Sequence, residues 1–252
     1  MTLFRNVVFI AAIAGLLSGI AMAAMQTFAT VPLILAAETY ENAAPANHDH
    51  DTQAANAGAA ATTPVVEAHA HGEDAWEPAD GFERFAYTAA ANIVTAIGFA
   101  LVLVAVSEAL GGILSWRQGL FWGFAGFAVF TLAPGLGLPP ELPGMPAADV
   151  SIRQAWWIGT VLATAGGLAL LAFRNSLPFA LLGVALIVAP HIIGAPQPVS
   201  HGTAVPAELL RRFVVAATLT NLMFWMVLGA VVGLLRSRFT VAGEPVLKRG
   251  LA

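Results

Sequence analysis

Two histidine pairs have the spacing that a metal-binding segment needs. His48 and His50 form one pair, and His69 and His71 form the other. Residues two apart lie on the same side of an extended chain, so each pair presents two imidazole rings together. With the acidic residues beside them they form a nitrogen and oxygen ligand set that suits divalent cobalt, nickel, copper or zinc. We expect weak, exchangeable binding, because a flexible loop must become ordered when it binds. The alternative is an acidic linker that happens to contain histidines.

Further candidate ligands are predicted on the same side of the molecule. The chain has no cysteine, so any metal ion must be held by nitrogen and oxygen atoms. His191 follows Pro190 at the end of an apolar run, and His201 lies in the next connection. Both histidines are expected at an outer vestibule, although histidines beside prolines also serve as interfacial structure. Three carboxylates complete the predicted vestibule, those of Glu38, Glu41 and Glu141.

The elements that position these residues are membrane helices. The chain is 58% hydrophobic and 10% charged, whereas about a quarter of the residues of a soluble domain are charged. Its apolar runs are long enough, at about twenty residues each, to cross a bilayer. The sequence therefore predicts an all-α, polytopic membrane bundle of six transmembrane helices, near residues 7–30, 85–107, 119–138, 155–173, 177–194 and 213–235.

Charged residues are divided unequally between the two sides of this bundle. One side carries seven basic and two acidic residues, a net charge of +5, and the other carries four basic and thirteen acidic residues, a net charge of −9. Because positive charge accumulates in cytoplasmic connections, we expect both termini in the cytoplasm. The histidines then lie on the outer side or at its mouth. An alternative for the first run is a cleaved signal peptide ending near Ala23, which would leave five spans.

The spans are expected to form three hairpins, because their outer connections carry similar signals. Each odd span has a proline near its outer end, and each even span begins with a Pro-Ala pair, an acid, and an arginine four residues after the acid. Proline and an acid suit the first helical turn, and residues four apart share a face. Internal duplication and three independent helix starts are both compatible with this pattern. The expected pairs are Asp80 with Arg84, Asp149 with Arg153, and Glu208 with Arg212.

Four segments are predicted along the chain. Residues 1–37 form the first transmembrane helix, and residues 38–77 form a disordered periplasmic loop rich in histidine and acid. Residues 78–238 contain helices two to six, with short inner connections and proline-rich outer ones. Residues 239–252 form a cytoplasmic tail.

Three polar residues inside the apolar runs are predicted at one depth. Asn92, Thr160 and Asn221 follow an arginine at the start of their span by seven to nine residues. At about 1.5 Å per residue they lie about 10–14 Å below the outer surface. Such a layer is expected to form the narrow part of an ion pathway, although separate interhelical hydrogen bonds would equally account for each residue.

Motifs for nucleotide and protease chemistry are absent. The sequence contains neither the glycine-rich phosphate-binding loop of nucleotide motors nor the His-Glu-x-x-His zinc motif. We therefore expect no nucleotide, no nucleic acid and no permanently bound cofactor. An enzymatic function is not expected.

Several segments resemble the CbtA family of bacteria, the probable cobalt transporter subunit. The similarity extends nearly from end to end, and its most specific part is the proline-rich segment 132–144. The resemblance implies cobalt uptake for corrinoid synthesis, together with a small one-span partner, CbtB, that bears histidines near its end. The segments that carry it are residues 32–41, 76–84, 132–144, 147–157, 190–198 and 221–225.

The expected function is that of an integral subunit of a bacterial Co²⁺ uptake transporter, with Ni²⁺ and Zn²⁺ as other substrates of the same chemistry. The loop histidines would collect the ion, the vestibule would receive it, and the polar layer would pass it through the bilayer. The acidic outer side favours the arrival of cations, most strongly at low salt. The alternative is a membrane protein that binds metal or assists assembly without transport, because the sequence offers no buried carboxylate to couple protons.

The predicted orientation can be tested with reporter fusions. A reporter placed after Ala252 should be active only if it is a cytoplasmic reporter, because the +5 side holds both termini. Activity of a periplasmic reporter at this position would contradict the six-span arrangement. A mature N-terminus near Ala24 would show instead that the first span is a leader.

The loop histidines should bind metal without supporting the fold. Replacing all four with alanine is expected to lower cobalt binding and leave thermal stability unchanged, because this segment has almost no apolar side chains to pack. Titration of the purified variant with Co²⁺ measures the binding. An unchanged titration would mean that the segment is only a linker; the four residues are His48, His50, His69 and His71.

Overall fold

The computed structural model describes residues 2–43, 78–79, 81–200 and 202–243. Over these residues the chain contains helices and connections but no strand, which confirms the predicted all-α class. Helix α8 continues beyond residue 239, the predicted start of the tail. The helices are α1 (Thr2–Ala29), α2 (Val31–Ala43), α3 (Phe82–Ala109), α4 (Trp116–Phe127), α5 (Ala133–Gly137), α6 (Val150–Phe173), α7 (Leu177–Ile193) and α8 (Ala207–Gly243), with a π-helical turn, Ala128–Leu132, between α4 and α5.

Apolar helices of membrane-spanning length make up most of the structure. The third span, Trp116–Gly137, combines α4, the π-helical turn and α5. Helix α7 is apolar but shorter than the others, at 17 residues. With α7 counted, the number of spans agrees with the prediction, and the chain is a multi-pass membrane protein. The five long spans are Phe4–Ala29, Phe82–Ala109, Trp116–Gly137, Val150–Phe173 and Ala207–Arg238.

The first apolar run is divided into two helices at Thr30. Pro32 has no amide hydrogen and suits the first turn of a helix, so α1 ends here and α2 begins. Helix α2 extends beyond the boundary predicted at residue 37, and Ala37 is fully buried within it. Two predicted ligands therefore lie on a helix and not in a loop, namely Glu38 and Glu41.

The third span widens into the π-helical turn just before Pro134. The proline ring crowds the carbonyl group four residues earlier, that of Phe130, and the proline nitrogen donates no hydrogen bond. In the wider turn the amide of Ala133 donates to the carbonyl of Ala128, five residues before it. The helix thereby continues past the proline as far as Gly137.

Helices α4 and α8 touch along two glycine pairs. Gly119 and Gly123 of α4 face Gly229 and Gly233 of α8. A Cβ atom on Gly229 would lie only 2.2 Å from the carbonyl oxygen of Gly119. Lipid chains are as apolar as the helices, so close van der Waals contact must supply the packing energy. Glycine is required here because any larger residue would separate the two helices.

Only part of the packing follows the predicted hairpins. Helix α1 packs against α3 as expected, and the inner end of α3 is joined to α8 by an ion pair between Glu108 and Arg236. Helix α4 packs against α8, and α6 packs against α7. In the described part of the chain α7 and α8 are not a packed pair, because α8 crosses to the centre of the bundle. The α6 and α7 pair reaches the other helices mainly through residues 128–137.

Replacing Gly229 with alanine should destabilise the protein. In an ordinary helix this change is favourable by about 0.5–1 kcal/mol, but here the new methyl group would overlap the carbonyl of Gly119. Gly98→Ala is the matched control, because no atom lies within 4 Å of its added Cβ. Thermal unfolding in detergent should show a loss for Gly229→Ala and none for Gly98→Ala. Equal melting temperatures would contradict the close contact between α4 and α8.

Candidate functional site

The outer end of the bundle is the end at which α2, residues 138–149 and residues 194–206 meet. Leu142 is 2% exposed and packs against apolar side chains of the two other segments. The hydroxyl group of Thr203 donates a hydrogen bond to the carbonyl of Gly144, at 3.4 Å. The three segments therefore form one cap over the helices.

Two carboxylates at the outer end are held by arginines of the even spans. Arg84 binds Glu38, with 2.5 Å between the nitrogen and oxygen atoms, and Arg153 binds Glu141 at 3.0 Å. All four side chains are about one third exposed, so both ion pairs are still reached by water. Each pair connects the beginning of a helix to the outer segment that precedes it.

The acids predicted to pair with the arginines within one helical turn have different roles. Asp149 caps the beginning of α6, accepting hydrogen bonds from the amides of Ser151 and Ile152 at 2.9 and 3.2 Å. The hydroxyl of Ser151 also donates to this carboxylate, which with the amides lowers the pKa of Asp149. The cap thus keeps its charge below the pH at which an aspartate normally takes up a proton. The predicted pair of Glu208 and Arg212 is confirmed, at 3.0 Å.

A cavity of about 810 Å³ opens at the outer end between the π-helical turn, α6 and α8. We call it the outer cavity. Apolar side chains and prolines form most of its wall. The amide nitrogen of Asn221 donates to the carbonyl of Ala217 at 2.9 Å, and its amide oxygen accepts no hydrogen bond from the described residues. The polar side chains that line the cavity are Thr131, Glu141, Arg153, Gln154, Thr218 and Asn221.

The wall of the outer cavity is held in place by Trp225 of α8. This indole is 2% exposed, and its nitrogen donates to the hydroxyl of Thr131 in the π-helical turn at 3.2 Å. Gly126 makes room for it, since a Cβ atom there would lie 2.2 Å from the ring. The π-helical turn is therefore fixed to α8.

His191 lies at the outer end of α7 and is not part of the lining of the outer cavity. Its ring packs edge-on against Trp156, with 6.0 Å between the ring centres. The indole nitrogen of Trp156 donates to the carbonyl of Pro190 at 3.3 Å. This contact joins α6 to α7 beside the proline, and a metal-binding role for His191 stays a prediction.

The predicted metal ligands are not assembled within the described residues. There, no three histidine or acidic side chains lie close enough to hold a metal ion. Glu41 is exposed beside Gly144, and the two other predicted carboxylates are bound by arginine. Metal coordination by this set therefore stays a prediction. Five of its members lie outside the described residues: His48, His50, His69, His71 and His201.

The three residues of the predicted polar layer have different partners. Asn92 donates to the side-chain oxygen of Gln26 at 2.6 Å and so joins α3 to α1. Thr160 is fully buried and donates to the carbonyl of Trp156 in its own helix, at 2.9 Å. Of the three, only Asn221 lines the outer cavity. The structure thus brings Asn221 and Glu141 to one cavity and places Asn92 elsewhere.

Apolar helices of membrane-spanning length, with a cavity at one end whose lining includes polar side chains, define a multi-pass membrane protein. A family model agrees with this class. The model described as probable cobalt transporter subunit (CbtA) matches residues 4–237, and the chain belongs to this family. Comparison with curated proteins gave no match, and comparison with solved structures gave none.

Proposed function

We propose that this subunit takes up Co²⁺ across a bacterial inner membrane and that the ion enters through the outer cavity. The observation that carries the proposal is the presence of Glu141 and Asn221 in the lining of one cavity at the outer end. The family description supports cobalt as the substrate. Ni²⁺ and Zn²⁺ accept similar nitrogen and oxygen ligands and are the closest competitors.

Arg153 acts as a replaceable partner of Glu141 in this proposal. An ion pair with side chains this exposed contributes no more than about 1 kcal/mol. A divalent cation carries twice the charge of a guanidinium group, so at an equal distance it attracts the carboxylate about twice as strongly. An arriving ion can therefore displace Arg153, which turns toward water and leaves Glu141 to the ion.

Deeper in the outer cavity, neutral oxygen atoms take the place of water around the ion. The amide oxygen of Asn221 and the hydroxyl oxygens of Thr131 and Thr218 line the same space. Neutral oxygen ligands replace hydration without binding a divalent ion too tightly to leave. In this proposal the ion meets a charged carboxylate at the entrance of the outer cavity and neutral oxygen ligands further in.

Collection of the ion is assigned to the loop between α2 and α3. His48, His50, His69 and His71 supply imidazoles, and the net charge of −9 on the outer side attracts cations over a screening length of about 8–10 Å. Both termini are placed in the cytoplasm. The partner that the word subunit implies is proposed to be a CbtB-like protein with one membrane span and histidines of its own.

A membrane protein that binds metal without transporting it is the second candidate. It is favoured by the arginine partners of Glu38 and Glu141. Because each of these carboxylates is bound by an arginine, neither is arranged to couple proton movement to transport. Uptake of radioactive cobalt by cells that express the chain with and without its partner separates the two functions. Transport predicts accumulation that exceeds the amount of protein-bound metal.

Replacing Asn221 with leucine should reduce cobalt uptake more than stability. A lost contact between a dipole and an ion costs about 1.5–3 kcal/mol, or about tenfold or more in rate. Its hydrogen bond inside α8 is worth about 0.6 kcal/mol to the fold. Glu141→Gln should also lower uptake and should raise the cobalt concentration needed for half-maximal uptake. Cobalt uptake and thermal unfolding are measured for each variant.

Asn92→Leu is the matched control for this experiment. Asn92 has the same amide group at a similar predicted depth, but it binds Gln26 and lies outside the lining of the outer cavity. We expect a modest loss of stability and normal uptake. If Asn92→Leu and Asn221→Leu impair uptake equally, the outer cavity is not the route, and a layer formed by all three helices would be supported instead.

A further inference from the structure

A second cavity follows the outer cavity toward the opposite end of the bundle. It is an open cleft of about 580 Å³ between α3, α4 and α6, with exposed side chains such as Phe121 and Leu162 at its rim, and we call it the inner cavity. Among the described residues that line it, Gln118 at the inner end has the only amide or charged side chain, and the other lining groups are apolar or aromatic. Such an apolar space holds little water.

Phe130 lines both cavities. Its ring stacks on Trp225, with 5.6 Å between the centres and 7° between the planes, and lies 6.2 Å from the ring of Trp157. It also packs against Phe99 of α3, at 5.2 Å. Aromatic rings from four helical segments therefore meet at Phe130.

On both α6 and α8 the boundary between the two cavities lies beside this group of aromatic rings. On α6 the lining of the outer cavity ends at Ile158 and that of the inner cavity begins at Val161. On α8 the change occurs between Asn221 and Trp225. One layer of aromatic side chains thus separates the outer cavity from the inner cavity.

We propose that Phe130 is the gate of the ion pathway: its side chain closes the passage between the outer and inner cavities and must move for an ion to pass. This inference rests on the proposed uptake function and adds the residue that controls it. Asn221 lines the outer cavity, so an ion held there is separated from the inner cavity by the ring of Phe130.

Phe130 is held by fewer contacts of a fixed kind than Trp225, because its side chain makes no hydrogen bond. Trp225 is buried and hydrogen-bonded to Thr131, whereas Phe130 is partly exposed and has no polar atom to anchor it. It belongs to the π-helical turn before Pro134, where the regular hydrogen-bond pattern is interrupted. It also lies where the α6 and α7 pair joins the other helices, so a shift of that pair would change the space around its ring.

Thiol labelling tests the gate without requiring any metal. The chain has no cysteine, so one introduced cysteine is the only target. Ala165→Cys places a thiol in the inner cavity, and Thr218→Cys places one in the outer cavity. A membrane-impermeant maleimide is added to reconstituted vesicles on the side from which Thr218→Cys is labelled, and the labelling rate of Ala165→Cys is then measured with each residue at position 130.

With Phe130 present, Ala165→Cys should be labelled slowly from that side. Phe130→Ala should raise the rate by about tenfold or more, because an open state that is populated at a few per cent becomes the main one. Phe130→Leu should give an intermediate rate and serves as the readout if the alanine variant unfolds. Phe124→Ala is the control, since Phe124 is on the same span, is exposed, and lines neither cavity.

The outcomes separate the gate from the transport proposal. Faster labelling in the Phe130 variants alone supports the gate, whether or not cobalt is taken up. An unchanged rate in both Phe130 variants, with normal labelling of Thr218→Cys, overturns it even if uptake is normal. Absence of cobalt uptake in every variant, together with faster labelling, would refute the transport proposal and keep Phe130 as the barrier between the two cavities.

Discussion

The contact between the backbones of α4 and α8 fixes the positions of the other parts. A Cβ atom on Gly123 would lie 2.3 Å from the carbonyl oxygen of Trp225, so no side chain separates the helices at this point. The contact brings the indole of Trp225 against Gly126 and within hydrogen-bond distance of Thr131. The π-helical turn is held in this way, and with it the boundary of both cavities. Because lipid supplies no hydrophobic force between helices, this contact depends on the absence of side chains.

Charge at the outer end is balanced locally even though the whole side is acidic. Glu38 and Glu141 each have an arginine from the next span, while the remaining acids lie mainly in the connections. The net negative charge of this side can therefore attract cations over a distance, although each of these two carboxylates is neutralised by its own arginine. A monovalent ion has no more charge than the guanidinium group it would displace, so in the proposed uptake such pairs would favour divalent ions.

Sequence patterns predicted the length and order of the helices better than their contacts. Depth in the membrane follows from counting residues, but the direction in which a side chain points depends on which helices touch. Asn92 and Asn221 illustrate this, since the first binds another helix and the second lines a cavity. Thr218 lies three residues before Asn221, so helical periodicity could have placed it on the same face. The choice of Glu141 as partner of Arg153 could not be predicted, because it depends on how the proline-rich segment folds back.

The short helix α7 has a consequence for the bilayer itself. Seventeen residues extend only about 25 Å, and the hydrocarbon layer is about 30 Å thick. Lipids beside α7 must therefore become shorter or tilt to match it.

In a thinner layer the membrane potential falls over a shorter distance, so the electric field is stronger there. A potential of 100 mV is worth about 2.3 kcal/mol for each unit of charge, and a divalent ion gains twice this amount. The length of this one helix therefore strengthens the electric field on the side of the bundle where α6, which packs against α7, borders both cavities.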